Sequence, residues 1–215
     1  MSLRLTPRAN LKMPCYAFKG IVPVVDRAAF VHPLASLIGD VIVGAHGYVG
    51  PGASLRGDLG RVTVEPYCSV QDCAVVHVSS GHDTLIRRGA TIAHGAVIHG
   101  CEIGADVLVG INAVVLDAAV IGDESCIGAL ALLRSAQVVP PRSLVIGQPA
   151  RIVRTLQPHE ITWRNDETGA YTRLAADSLR GLREVTPLPA IEPSRPRIDG
   201  TGAPVSFRTT GRPPR

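Results

Sequence analysis

The sequence predicts a mainly β protein, a parallel β-helix wound as a triangular prism of about seven coils and followed by C-terminal α-helices. Three observations predict it. Glycine and proline are abundant, 22 and 17 of 215 residues, against 3 Phe, 4 Tyr and 1 Trp, a balance that favours short strands and tight turns. Aliphatic residues recur every six positions. That recurrence stops after Pro149, where the spacing of apolar residues becomes helical.

Taken in order, residues 1–13 read as an unstructured leader, too short and polar for a signal peptide. The coiled domain is expected over 14–150. Val25, Val31, Leu37, Val43, Val49 and Leu55 form an unbroken series, and Ile103, Val109, Val115, Ile121, Ile127, Leu133, Val139 and Val145 form a longer one. Between them lie Val64, Val70 and Val76, then Ile86, Ile92 and Ile98. Small residues recur four places after the aliphatic, as at Ala29, Ala35, Ala53, Ala113, Ala119 and Ala131. A period of six matches neither a helix nor a flat alternating strand. It suits a coil with one hexapeptide per face and three faces per turn, in which the aliphatic points inward and the small residue lets the chain turn.

The register breaks three times, all in the middle: three extra residues in RGDLGR (56–61), four extra around HVSSGHD (77–83), and one missing at HGC (99–101). Each break adjoins a polar residue able to do chemistry. Beyond Pro149, PHEITWRND and GAYTRLAADSLRGLRE predict two helices within 151–186, with Trp163 and Tyr171 as packing anchors. Residues 187–215, rich in proline and arginine with few aliphatics, read as a disordered tail.

Bulk properties exclude several classes. A net charge of +4 without a central basic block gives no nucleic-acid footprint, and no run of about 18 apolar residues marks a membrane span. Five cysteines without a CxxC pair read as reduced thiols in a soluble, cytoplasmic protein.

Counting faces places Leu55, Val76 and Ile98 on one face of successive coils, so Arg56, His77 and His99, which follow them, stack in a column. Val70, Ile92 and Val109 share a neighbouring face, which aligns Gln71 and Asp72 with Ala93 and His94. Asn112 falls one place beyond that alignment. His94 is thereby expected on a different face from the other two histidines, out of reach of a metal they hold within one chain. A homotrimer would unite His77 and His99 of one subunit with His94 of the next, and three imidazoles with one open position are the pattern of a catalytic zinc. His32, His46 and His159 have no partners in this count and read as surface or packing residues.

The residues RGD (56–58), SVQD (69–72), His77 and HGAVIHGC (94–101) resemble the γ-class carbonic anhydrase superfamily over about residues 14–156. The resemblance implies a left-handed β-helix. It also implies Zn2+ (or Fe2+ or Co2+) held by His77, His94 and His99 across a trimer interface, with Arg56, Asp58, Gln71 and Asp72 lining the site. Within the superfamily, MPCYAFKGIVPVV, GINAVVLDAAVIGDESCIG and IGQPARIVRTLQPHEITWRNDETGAYTRLA are most similar to the group of PaaY and its carnitine-operon relative, which implies a thioesterase on hydroxyphenylacetyl-CoA-type substrates. Gln71 would then orient water or the carbonyl oxygen, Asp72 would fix an imidazole tautomer, and Arg56 and Asp58 would hold the subunit junction. Carbonic anhydrases of this class carry a glutamate after the RGD-type motif and an acidic loop after the first histidine. Here Leu59 and VSSGHD stand there, with His82 and Asp83 as the partial substitutes, which favours thioester hydrolysis over CO2 hydration. The competing expectations are carbonic anhydrase activity on CO2 and bicarbonate, a metal-free acyltransferase, and a silent scaffold.

Overall fold

The computed structural model describes residues 13–198; the expected leader up to residue 12 and the tail beyond residue 198 lie outside the described residues. The described chain is a parallel β-solenoid of seven levels, consistent with the left-handed β-helix. Its three inward columns each take every third member of the aliphatic series of the sequence. Leu37, Leu55, Val76, Ile98, Val115 and Leu133 stack on the first face. Val31, Val49, Val70, Ile92, Val109, Ile127 and Val145 stack on the second. Val25, Val43, Val64, Ile86, Ile103, Ile121 and Val139 stack on the third. Most are 0–1% exposed, and the small corner residues Ala53, Ala74, Ala96, Ala113 and Ala131 are buried between them. The core is thus a single apolar rod, and every coil adds the same burial at about 25 cal/mol per Å2 of apolar surface.

Turning a corner within four residues requires one of them in the left-handed region. Asp106, Asn112, Ala118, Glu124, Leu130, Ala136 and Arg142 take it at intervals of six, with φ between 52° and 61°. Earlier in the chain the same role falls to His46, Gly52, Tyr67, Cys73, Gly89, Gly95 and Gly100. Their spacing runs 6, 15, 6, 16, 6 and 5, so the three extra, four extra and one missing residue of the sequence are written into the backbone.

The first interruption is no outward loop. Ser54–Val64 is one continuous strand through the corner, paired with Ser36–Val43 across a register shift between Gly39 and Val41. Gly57 makes this possible, since a Cβ there would lie 2.2 Å from the Asp40 carbonyl oxygen.

After the last coil, Ser143–Gly147 pairs antiparallel with Ala150–Thr155, which becomes the edge strand of the second sheet. The chain then runs back along the outside of the second face. Leu156, Ile161 and Trp163 pack over Cys126 with Leu108 and Leu144, and the helix Ala170–Gly181 sets Tyr171, Ala175 and Leu179 on Phe30 and Tyr48. One α-helix forms where two were expected. PHEITWRND contains only a three-residue 3-10 turn, Pro158–Glu160, after which Ile161, Trp163 and Asn165 are buried while Thr162 and Arg164 are exposed. Burial at every second residue is the signature of an extended strap. Trp163 Nε1 donates to the Asp106 carbonyl at 2.8 Å, and Asn165 Nδ2 to that of Tyr67 at 2.8 Å, anchoring it to two corner residues. Residues 182–198 form no helix or strand. No helix among the described residues is long and apolar enough to cross a membrane.

Candidate metal centre

Val75–His77 and Val97–His99 lie side by side in parallel register, with His99 paired to His77 and Ile98 to Val76. Because the inward Val76 and Ile98 fix the pleat, both histidines emerge on the outside at the corner that ends the first face. Their rings meet edge to face, with His77 Nδ1 3.1 Å from His99 Nε2. Arg56 occupies the preceding coil's place in the column, next after Leu55. Its guanidinium donates to Asp58 Oδ2 at 2.5 Å.

Each ring has its other nitrogen on a carboxylate. His77 Nε2 donates to Asp58 Oδ1 at 2.9 Å, and His99 Nδ1 donates to Asp117 Oδ1 at 2.8 Å. An ionised carboxylate can only accept, so each bond places a proton on that nitrogen. In the neutral rings, His77 Nδ1 and His99 Nε2 are therefore bare lone pairs facing one another, which is repulsive unless a cation, a proton or a metal ion, lies between them. Two nitrogens bound to one zinc at about 2.0–2.1 Å in tetrahedral geometry stand about 3.3 Å apart, close to the 3.1 Å found. Burial works against ionisation of Asp58, but the hydrogen bonds from His77 and Arg56 outweigh it and hold its carboxyl below the usual range. The Ser79 hydroxyl, ahead of His99, does the same for Asp117 against the opposing effect of burial.

His94 lies at the other end of the same face. It belongs to the corner that leads from the second face into Val97–His99, with Nδ1 3.2 Å from Asp72 Oδ2. The expectation of two different faces is refined accordingly: the histidines bracket one face, His94 at its entry and His77 and His99 at its exit. Their exposure differs to match. The side chains of His77 and His99 are 12% and 29% exposed, whereas that of His94 projects at 45%. Among the described residues, no three His, Cys, Asp or Glu side chains gather into a metal cage within one chain.

The remaining expected residues fall around this face. Gln71 is buried beside Asp72 in the corner below His94. Asn112 takes φ 54° in the corner above, where its backbone N–H donates to the His94 carbonyl at 3.0 Å and its amide lies over Gly95. Asp83 Oδ1 accepts from the Arg61 backbone, and His82 is exposed on the same loop. Beside Asp58 opens a cavity of about 390 Å3, walled by Phe18, Lys19, Asp40 and Arg61. Sequence reasoning missed Asp117 and Ser79. The available signal was the deletion at HGC, which leaves room beside His99 for a residue of the following coil.

Comparison with known proteins finds relatives over most of the chain. The chain is 45% identical to the carnitine operon protein CaiE of Salmonella agona and 46% identical to that of Escherichia coli K12, in each case over 88% of this chain and 96% of the relative. A hexapeptide transferase family protein from Anaplasma phagocytophilum superposes with a TM-score of 0.73 at 32% identity, covering 77% of this chain and 98% of that one. The bacterial transferase hexapeptide (six repeats) family matches residues 100–135.

Proposed function

The chain belongs to the family of the carnitine operon protein CaiE, and from that premise we propose that it is a trimeric metal-dependent hydrolase of acyl-CoA thioesters. The observation that carries the reading is the approach of His77 Nδ1 and His99 Nε2 to 3.1 Å, with the other nitrogen of each ring on a carboxylate.

The donor set fits zinc, Fe2+ or Co2+: imidazole nitrogen suits all three, and no thiolate is required. His77 and His99 of one subunit would supply two ligands and His94 of the next the third. The single face they bracket supports such an assembly. Three prisms packed around a threefold axis with this face inward bring the exit edge of each against the entry edge of its neighbour. The face is suited to contact, since its outward residues Val97, Val114 and Leu132 are apolar and half-buried and Val75 is exposed. When bound, such a metal supplies Lewis-acid activation of water and of a carbonyl oxygen.

The chain's own residues do the rest. Asp58 and Asp117 hold protons at His77 Nε2 and His99 Nδ1, which fixes both tautomers. Asp72, with Oδ2 3.2 Å from His94 Nδ1, would do the same once that contact aligns, leaving Nε2 to the neighbouring subunit. Gln71 orients water or the thioester carbonyl. Arg56 holds Asp58 in its ionised, hydrogen-bonded position. The cavity beside Asp58 receives the acyl group, with Lys19 and Arg61 at its wall. The carnitine-operon name of the relatives puts thioesters of carnitine-type acids beside hydroxyphenylacetyl-CoA in the substrate panel.

The test is metal content measured alongside hydrolysis of an acyl-CoA panel on one preparation, repeated with His94→Ala. The expected result is metal bound in the wild type, with both metal and turnover lost in a variant that keeps its fold. A trimeric His94→Ala protein hydrolysing at the wild-type rate would sink the mechanism. A second reading, acyl transfer without metal, is favoured by the transferase names of the matching family and of the Anaplasma structure. Acyl-CoA consumption that requires an amine or hydroxyl acceptor, in metal-free protein, would select it. Stopped-flow CO2 hydration separates the carbonic anhydrase alternative.

A further inference from the structure

Resting on the metal-site reading above, we propose that Asp117 is the positioning residue of the His99 imidazole and that the shortened corner at Gly100 is what admits it. In a regular corner two residues separate the strand-end aliphatic from the left-handed position, as Leu116 and Asp117 separate Val115 from Ala118. After Ile98 only His99 does so, and Gly100 takes the left-handed conformation one residue early, at φ 56°. The place where a second residue would stand is left open. Asp117 enters it from the following coil. The contact is close enough that a Cβ on Gly100 would lie 2.3 Å from Asp117 Oδ1, so the glycine is required by its neighbour as well as by its own φ.

Once there, the carboxylate is held from two sides. His99 Nδ1 donates to it at 2.8 Å, and Ser79 Oγ, from the four-residue insertion after His77, donates at 2.6 Å. Thr84 closes the insertion by donating to the His77 carbonyl at 2.7 Å while accepting from the Gly100 N–H at 3.0 Å. The insertion in one coil and the deletion in the next are thus stitched together, with Asp117 on their outer side. The consequence is chemical: a proton fixed on His99 Nδ1 leaves Nε2 as the only lone pair, directed at His77 Nδ1. Each histidine then has its own carboxylate, Asp58 for His77, Asp72 for His94 and Asp117 for His99.

The test reads the proton position first. In metal-free, nitrogen-15-labelled wild-type protein, His99 should carry a proton on Nδ1; a ring protonated on Nε2 alone overturns the proposal without any variant. In Asp117→Ala the proton should shift to the Nε2 form that free imidazole prefers, and zinc affinity, measured by competition with a chromophoric chelator, should fall about 10–100-fold. Asp117→Asn retains an acceptor oxygen at the same reach and should restore the Nδ1 form and most of the affinity, a rescue that a merely structural role would not give. Asp117→Ala protein with an unchanged metal-free melting temperature, an unchanged tautomer and wild-type zinc affinity would refute the assignment. Should the wild type itself take up no zinc, the metal reading fails, while the His99 tautomer still judges Asp117 separately.

Discussion

The coils from Ile103 to Val145 and those from Leu55 to Cys101 use the same core and differ only at their corners. In the later coils each corner has the same length, and the left-handed residue recurs at every sixth place from Asp106 to Arg142. Asp117 apart, these corners serve packing, and the residues at their left-handed positions are as varied as Ala118, Glu124, Leu130 and Arg142. In the earlier coils the corners are lengthened by three, lengthened by four and shortened by one. There Asp58, His77, Ser79 and His99 form a hydrogen-bonded group, completed by Asp117 reaching in from the later corner at Ala118. A repeating solenoid sets one distance between neighbouring coils. Only a departure from the repeat can bring a side chain of one coil against a ring of the next at a new angle.

The comparison can be broken most severely at its shortest corner. Inserting one alanine between Gly100 and Cys101 restores the six-residue spacing and fills the place Asp117 occupies. We expect a folded protein whose zinc affinity falls about 10–100-fold, measured by chelator competition. The same insertion between Ala118 and Ala119 makes a regular corner irregular, and should lower the denaturation midpoint while leaving any metal bound per folded chain unchanged.

A smaller effect separates core from site. Ile121→Ala and Ile98→Ala delete the same atoms from fully buried positions, and each should cost about 2–5 kcal/mol in urea unfolding. Only Ile98→Ala, one residue before His99, should also weaken metal binding. Equal metal affinity in the two variants would show that the histidine column tolerates the loss of its inward neighbour.

The smallest effect lies on the strap that covers the second face. Glu160 accepts from Arg154 and from the Gln157 backbone, and the Arg154 bond is the main reason its carboxyl is held down at about 2. A carboxylate with a depressed folded pKa stabilises the folded state above its unfolded value, near 4.5, and loses that contribution as pH falls through about 2. Fluorescence of Trp163, the only tryptophan, should therefore shift toward that of an exposed indole between these pH values. Arg154→Ala, which brings the folded pKa of Glu160 back toward its unfolded value, should flatten this pH dependence. The pair is exposed, so salt should reduce the difference.

Much of this was legible beforehand because a solenoid is nearly one-dimensional. Each aliphatic at a sixth position has one inward place to go, so the columns of Leu55, Val76 and Ile98, and of Val70, Ile92 and Val109, follow from counting. The strap did not follow. PHEITWRND has a helical look, but its Ile161 and Trp163 find apolar partners in Cys126 and Leu108, and those partners lie along a straight edge that only an extended segment can follow.

The sequence by itself determined the coil, its three columns, the position of each interruption and the presence of three histidines beside them, because nearest-neighbour stacking depends on spacing along the chain. Tertiary structure alone decided that His94 and the pair His77 and His99 bound one and the same face, that Asp117 turns back into the gap at Gly100, and that the C-terminal segment closes the second face. These depend on directions and contacts between coils, which hydrogen-bond geometry and excluded volume settle only when the neighbouring coil is in place.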